Sequence, residues 1–263
     1  MLELNKIYNM DCVEGMKMLP DECIDLTVTS PPYDNLRTYN GFEWDFEATA
    51  KELFRVTKQG GVVVWIVGDS TIKGSETGTS FKQALFFKEC GFNLHDTMIW
   101  QKISPFQHKN RYISCFEYMF IFSKGKPKTA NLIRDRKNKW AGTQVHGTER
   151  QKDGNTKSLS VVQRNKVIKE YGARYNVWNI QPAKNNTTGH PAVFPEQLAK
   201  DHILTWSNES DIVLDPFMGS GTTSLACIKN NRNLIGFEIS EEYCRIANER
   251  IDNLVKEMVG DAE

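Results

Sequence analysis

The chain has 263 residues, with 33 basic and 33 acidic side chains, a formal net charge of zero and 40% hydrophobic residues. That is enough chain to bury one large or two small cores, and 11% aromatics, 25% charged residues and only 9 prolines exclude a disordered, collagenous or low-complexity polymer. As a total, neutrality lacks the basic excess that phosphate binding usually shows.

In chain order, Ile24 to Thr29 (IDLTVT) reads as a buried strand running into the turn SPPYDN, and Phe46 to Thr57 as a helix stopped by Gly60-Gly61. Val62 to Val67 (VVVWIV) is the clearest buried strand. Phe81 to Cys90 fits a helix, Thr97 to Gln101 a strand, and Glu117 to Phe122 a strand that meets Lys124-Gly125. Apolar periodicity then fades. It returns with a helix over Pro195 to Trp206, a short strand over Asp211 to Leu214 entering a glycine loop, a helix over Thr222 to Asn230, a strand over Asn233 to Glu238 and a last helix over Glu241 to Lys256. Strands alternating with helices predict an α/β fold, a mostly parallel sheet covered by helices.

The six cysteines (Cys12, Cys23, Cys90, Cys115, Cys227, Cys244) form no CxxC pair and no zinc-ligand spacing, so they read as buried free thiols and no metal is expected. The N-terminus lacks a basic segment followed by an apolar run, and Val62–Val67 is far short of a membrane span, so a soluble protein of a reducing cytoplasm is expected.

Charge is unevenly spread. Residues 124–174 hold 14 basic and 4 acidic side chains, an excess of ten that the rest of the chain cancels. Interleaved aromatics and amides (Trp140, Gln144, His146, Gln163, Asn165, Tyr171) suit phosphate contacts and base-edge readout, although a solvated insertion fits the composition equally well.

Two motifs follow strands directly. In Thr29-Ser30-Pro31-Pro32-Tyr33 the prolines fix two φ angles and remove two donors, leaving outward carbonyls beside a serine hydroxyl, both able to accept from an amine, and an aromatic face on which a base could stack. An ordinary Pro-Pro turn is the competing reading. The second motif is Asp215-Pro216-Phe217-Met218-Gly219-Ser220-Gly221-Thr222-Thr223. Its glycines permit close backbone approach, but it lacks the lysine of a phosphate loop and the third glycine of the dinucleotide fingerprint, so a phosphate-free ligand with a zwitterionic end fits better. Glu238, at the end of the next strand, stands where acidic residues bond ribose hydroxyls in nucleoside-binding α/β folds; a helix-capping role is the alternative.

TSPPY followed by DPFMGSGTT resembles the amino-group DNA methyltransferases of the β arrangement, over most of the chain from Tyr8 to about Asn253. The resemblance implies a Rossmann-like methyltransferase fold, a doubly wound sheet with circularly permuted motif order, S-adenosylmethionine as cofactor and double-stranded DNA as partner. It divides the chain into a catalytic half (1–124), a basic target-recognition insertion (125–180) and a cofactor-binding half (181–263). The catalytic residues implied are Ser30, Pro31, Pro32 and Tyr33. Asn9-Met10-Asp11-Cys12 and Gly189-His190-Pro191-Ala192-Val193-Phe194 resemble further cofactor segments. The cofactor set is therefore Asp11, Cys12, Thr29, His190, Phe194, Asp215, Pro216, Phe217, Gly219, Ser220, Gly221, Thr222 and Glu238. Candidate DNA contacts are Arg37, Tyr39, Lys109 and Arg111, with Lys137, Lys139, Arg150 and Arg164 in the basic stretch. A homodimer and a cognate restriction endonuclease are further partners that the resemblance suggests.

Serine at the head of SPPY and the form HPAVFP are commoner in the cytosine-N4 than in the adenine-N6 enzymes, so cytosine N4 is the expected acceptor and adenine N6 the alternative. More remote are an RNA or protein-amide methyltransferase and a DNA-binding module without catalysis.

Overall fold

The structure, a computed structural model, describes residues 2–32, 44–103, 109–182 and 195–260. In chain order its elements are β1 (Lys6–Asn9), α1 (Cys12–Lys17), β2 (Ile24–Thr29), α2 (Phe46–Val56), β3 (Thr57–Val67), β4 (Thr71–Ile72), β5 (Ser75–Glu76), α3 (Thr79–Glu89), β6 (Asn93–Gln101), β7 (Phe116–Ser123), β8 (Arg136–Lys137), β9 (Thr148–Arg150), β10 (Thr156–Ser158), α4 (Val161–Arg164), β11 (Tyr171–Gly172), β12 (Val177–Asn179), α5 (Glu196–Trp206), β13 (Ile212–Asp215), α6 (Thr222–Ile228), β14 (Asn233–Glu238) and α7 (Glu241–Gly260). They fall into two compact units, residues 1–131 with 176–263, and residues 132–175.

The larger unit is built on an eight-stranded sheet, among the described residues, in the order β1-β14-β13-β2-β3-β7-β6-β12. Every pairing is parallel except those of β7 with β3 and β6, so β7 alone runs against the rest. This is the mostly parallel, helix-covered sheet that the alternation predicts. Alternate residues of a strand face opposite sides. Val63, Trp65 and Val67 of β3 join Phe120, Phe122, Leu214, Ile235 and Phe237 under α1, α2 and α3, whose Met16, Leu53 and Phe87 are fully buried. On the other side the buried stripe of α5 (Leu198, Ala199, Ile203) packs on β2, and α6 packs on β14. Strands buried on both faces read as near-continuous apolar runs, which is why VVVWIV stands out in the sequence, whereas IDLTVT carries the buried threonines Thr27 and Thr29 among its apolar residues.

Several boundaries move for local reasons. α2 ends at Val56, one residue before the expected Thr57, because Thr57 turns extended and its hydroxyl donates to Leu53 O at 2.6 Å. β3 therefore starts at Thr57, and Gly60-Gly61 lie in an irregular stretch where the pairing jumps from Ile24↔Thr57 to Leu26↔Val62. α3 begins two residues early because the Asp69 carboxylate accepts from Ser80 N at 2.9 Å and Ser80 Oγ at 2.5 Å, acting as a remote cap. Of the six free thiols, Cys12, Cys227 and Cys244 are buried, whereas Cys23, Cys90 and Cys115 are only half-buried. No helix among the described residues is long and apolar enough to cross a membrane.

The smaller unit, residues 132–175, contains no buried residue. It consists of the pairs β9–β10 and β8–β11, a bridge between Gln144 and Val167, and the short α4 closed by a Ser160–Gln163 capping box. Its internal ties are polar: Arg174 Nη2 meets Asp135 Oδ2 at 2.5 Å, Arg136 Nε donates to Ala173 O at 3.0 Å, and the Arg136 guanidinium lies 4.9 Å from the Tyr175 ring centre. The unit holds 11 basic against 4 acidic side chains and exposes Trp140, Val161, Val162 and Tyr175.

Candidate active site

Four neighbouring strands, β1, β14, β13 and β2, end in Asn9, Glu238, Asp215 and Thr29 and so bring Asp11, Glu238, the glycine loop and the start of the Ser30-Pro31-Pro32 turn to one end of the sheet, formed by their carboxyl ends. Ligands of open α/β sheets bind outside such an end. Hydrogen bonds wire the four ends together. Asn9 Nδ2 donates to Glu238 O at 2.9 Å and Met10 N donates to the same carbonyl at 3.1 Å, joining β1 to β14. Gly219 N donates to Glu238 Oε2 at 2.7 Å, joining β14 to the glycine loop after β13. Thr29 Oγ1 donates to Asp215 Oδ1 at 2.6 Å, joining β13 to the end of β2, where Ser30-Pro31-Pro32 begins.

The glycine loop is a built turn. Gly219 and Gly221 take φ of 54° and 87°, in the left-handed region that favours glycine. Gly221 also has close neighbours: a Cβ there would lie 2.9 Å from Ser224 Oγ and 3.0 Å from Ala247 Cβ. Arg250 of α7, absent from the sequence-based set, donates from Nη1 to Ser220 O and fixes the loop from behind. Burial pulls its guanidinium below the usual range, with Glu196 opposing. Nothing in the local sequence marks Arg250, because its reach to Ser220 exists only once α7 is docked.

The carboxylates differ in their surroundings. Asp11 is the N-cap of α1, its Oδ1 accepting from Val13 N (2.9 Å) and Glu14 N (3.1 Å). Glu238 is half-buried; burial pushes its carboxyl up while the Ser240 and Gly219 amides pull it down. With about four lone-pair directions against the amides of Gly219, Ser240 and Ile239, it retains capacity for a hydroxyl donor. Asp215 is 1% exposed and accepts from Thr29 Oγ1, from Thr223 Oγ1 (2.6 Å) and from Phe217 N (3.1 Å). Burial pushes its carboxyl up to about 6 despite these donors, and the Glu238 charge adds to the rise.

Pro216 is buried. Phe217 is half-buried, its ring edge-on to Trp44 at 5.0 Å. Thr222 opens α6. The Cys12 thiol is buried 3.7 Å from Thr49 Oγ1, and burial pushes it up to about 12. Ser30 and Pro32 are half-buried and Pro31 is buried. Tyr33, Arg37, Tyr39, His190 and Phe194 lie outside the described residues. Of the candidate DNA contacts, Lys109, Lys137, Lys139, Arg150 and Arg164 are exposed, whereas Arg111 is engaged by Glu76 at 3.4 Å and by Gly74 O.

Residues 24–249 match the DNA methylase family. The chain is 61% identical over 246 residues to the orphan methyltransferase M.BamHII of Bacillus amyloliquefaciens, covering 89% of this chain and 91% of that protein. Among solved structures, the fold is similar to the PvuII cytosine-N4-specific DNA methyltransferase, with a TM-score of 0.66 at 21% identity over 97% of this chain and 92% of that one. It is also similar to the M1.HpyAVI–SAM complex, with a TM-score of 0.59 at 25% identity over 93% and 98% of the two chains. The sheet order, the two motifs at one end of the sheet and these matches together place the chain in the DNA methylase family, as a DNA methyltransferase of the cytosine-N4/adenine-N6 kind.

Proposed function

We propose that the chain moves the methyl group of S-adenosylmethionine to the N4 amine of a cytosine turned out of duplex DNA. The observation that carries this is the 2.6 Å bond from Thr29 to Asp215, which draws the acceptor-bearing turn and the glycine loop to one place.

The residues fit the cofactor. Gly219 and Gly221 let the loop backbone approach a ligand, the loop has no lysine to demand a phosphate, and Glu238 retains acceptor capacity for a ribose hydroxyl. Asp11, Phe217, Ser220 and Thr222 complete the rim, with His190 and Phe194 contributing from sequence. When bound, the cofactor supplies an already activated methyl group on a sulfonium.

The chain's own work is to prepare the amine. An exocyclic amine has its lone pair delocalised into the ring and is a poor nucleophile. Ser30 Oγ and the Pro31 carbonyl accept its two hydrogens and favour a pyramidal nitrogen, a pre-organised geometry rather than covalent catalysis. After transfer the nitrogen is cationic and strongly acidic, so water can take its proton and no dedicated base is required. Turning the base out costs a few kcal/mol, which stacking on Tyr33 offsets.

The unit formed by residues 132–175 is assigned to DNA: its exposed Lys137, Lys139, Arg150 and Arg164 suit phosphate, and its exposed aromatics suit base edges. Cytosine rests on Ser30, since serine at the head of this turn is commoner in the cytosine-N4 enzymes; adenine N6 is the competing reading. The similar protein named an orphan methyltransferase favours action without a partner nuclease. The test is to incubate the chain with mixed-sequence duplex DNA and labelled S-adenosylmethionine, digest to nucleosides and identify the product. N4-methylcytosine is expected, with loss of label in Ser30→Ala; N6-methyladenine would overturn the base assignment.

A further inference from the structure

The backbone ladder between β13 and β2 consists of only two pairs, Val213↔Leu26 and Leu214↔Thr27. Beyond Thr27 the two strand ends are joined by a side-chain bond, Thr29 Oγ1 to Asp215 Oδ1. Both partners are almost completely buried, at 0% and 1% exposure. The same carboxylate holds Phe217 N in the glycine loop and Thr223 Oγ1 in the first turn of α6. One group thus accepts from the residue next to Ser30, from the glycine loop and from the helix behind that loop.

We propose that Asp215 and Thr29 form a latch that sets the Ser30-Pro31 turn in register with the glycine loop, both acting as positioning residues rather than as ligands of the cofactor. The latch rests on the methyl-transfer function proposed above and supplies what that reaction needs most, a fixed distance between acceptor amine and methyl donor. A misplacement of about 1 Å can cost on the order of a hundredfold in rate. A buried carboxylate suits this role, because its charge strengthens each bond it accepts and its two oxygens take donors from three segments. The ionised form suits this arrangement, because both oxygens then act as acceptors, Oδ1 for Thr29 Oγ1 and Phe217 N and Oδ2 for Thr223 Oγ1. Burial keeps the carboxyl easier to protonate than usual, and Glu238 is the charged neighbour that adds to this.

The test compares wild type with Thr29→Val and Thr29→Ser. Cofactor affinity is read by calorimetry, turnover on duplex DNA at saturating cofactor, and the melting midpoint by circular dichroism, with kinetics run ten degrees below the lowest midpoint so that folded protein is compared. Thr29→Val is expected to lower kcat at least tenfold with cofactor Kd within threefold, and Thr29→Ser, which keeps the donor, to return kcat to within threefold of wild type. Three outcomes overturn the latch: wild-type kcat in Thr29→Val, a loss of cofactor affinity by the same factor as kcat, or no rescue by serine. Wild-type protein that binds S-adenosylmethionine but methylates no DNA would overturn the functional reading itself and the latch with it, an outcome separable from the others before any variant is compared.

Discussion

Asp215→Asn is nearly isosteric and removes the ionisation of the most deeply buried carboxyl in the site. Burial lifts the Asp215 carboxyl from 3.8 to about 6, against the pull of the Thr223 and Thr29 hydroxyls and the Phe217 amide. Each unit of difference between folded and unfolded chain is worth roughly 1.4 kcal/mol, so two units amount to about 3 kcal/mol. The folded-state value lies above the unfolded one, so the folded protein binds the proton more tightly. This contribution to stability is fully present below about pH 4 and is lost as pH rises through about 6. Urea unfolding of both proteins at pH 4, 5, 6 and 7 isolates it by subtraction. Wild type should lose about 3 kcal/mol relative to Asp215→Asn across that window and then run parallel to it. Parallel curves throughout would show that the carboxyl titrates normally, and a difference of opposite sign would show that its three donors outweigh its burial. At neutral pH the variant should melt no lower than wild type yet turn over at least tenfold more slowly, a trade of activity for stability at a functional group.

Two further perturbations probe the rest of the site. Gly221→Ala forces a left-handed backbone on alanine and sets its Cβ 2.9 Å from Ser224 Oγ and 3.0 Å from Ala247 Cβ; about 2–4 kcal/mol of strain and overpacking should lower the melting midpoint by roughly 5–10 °C and abolish cofactor binding, and an unchanged titration would refute the loop's role. Replacing Lys137, Lys139, Arg150 and Arg164 together by alanine should leave cofactor affinity unchanged while reducing the salt dependence of DNA binding, measured by fluorescence anisotropy, by about one unit of log-log slope per lost phosphate contact; an unchanged slope would move the DNA surface elsewhere.

The central strands and the two motifs were legible because a strand buried on both faces is rich in β-branched and apolar residues, and the turn that follows it carries proline, glycine and polar residues. β1 and α1 were not, at four and six residues, because neither spans enough of a period to register. Asp11 followed by Glu14 is the signal that could have found α1, since an N-cap aspartate and an acidic first turn mark a helix start. β12 is three residues whose only strand-like feature is its pairing with β6. At the site, the local string DPFMGSGTT locates the loop but says nothing of what each side chain faces. Asp215 stands in the sequence where a ligand contact is expected; its burial and its bond to a residue 186 positions away belong to the sheet, not to the string. Arg250 is illegible for the same reason.

The order of strands explains how two remote stretches of chain share one site. β1 pairs with β14 and β2 with β13, so the first thirty residues and residues 212–238 interleave at one end of the sheet. Neither stretch completes the site by itself: the amino-terminal part holds the acceptor turn and Asp11, the carboxy-terminal part holds the glycine loop, Glu238 and Arg250, and their bonds run across the boundary through Asn9, Met10 and Thr29. Such pairings close very long loops, an entropic cost that their contacts must offset. A side-chain latch at that end of the sheet has a use that backbone pairing lacks. The ladder between β13 and β2 stops at Leu214 and Thr27, so beyond these pairs backbone pairing no longer sets the register of the two strands. The Thr29–Asp215 bond supplies that register through side chains, and the same carboxylate carries it on to Phe217 N in the glycine loop and Thr223 Oγ1 in α6.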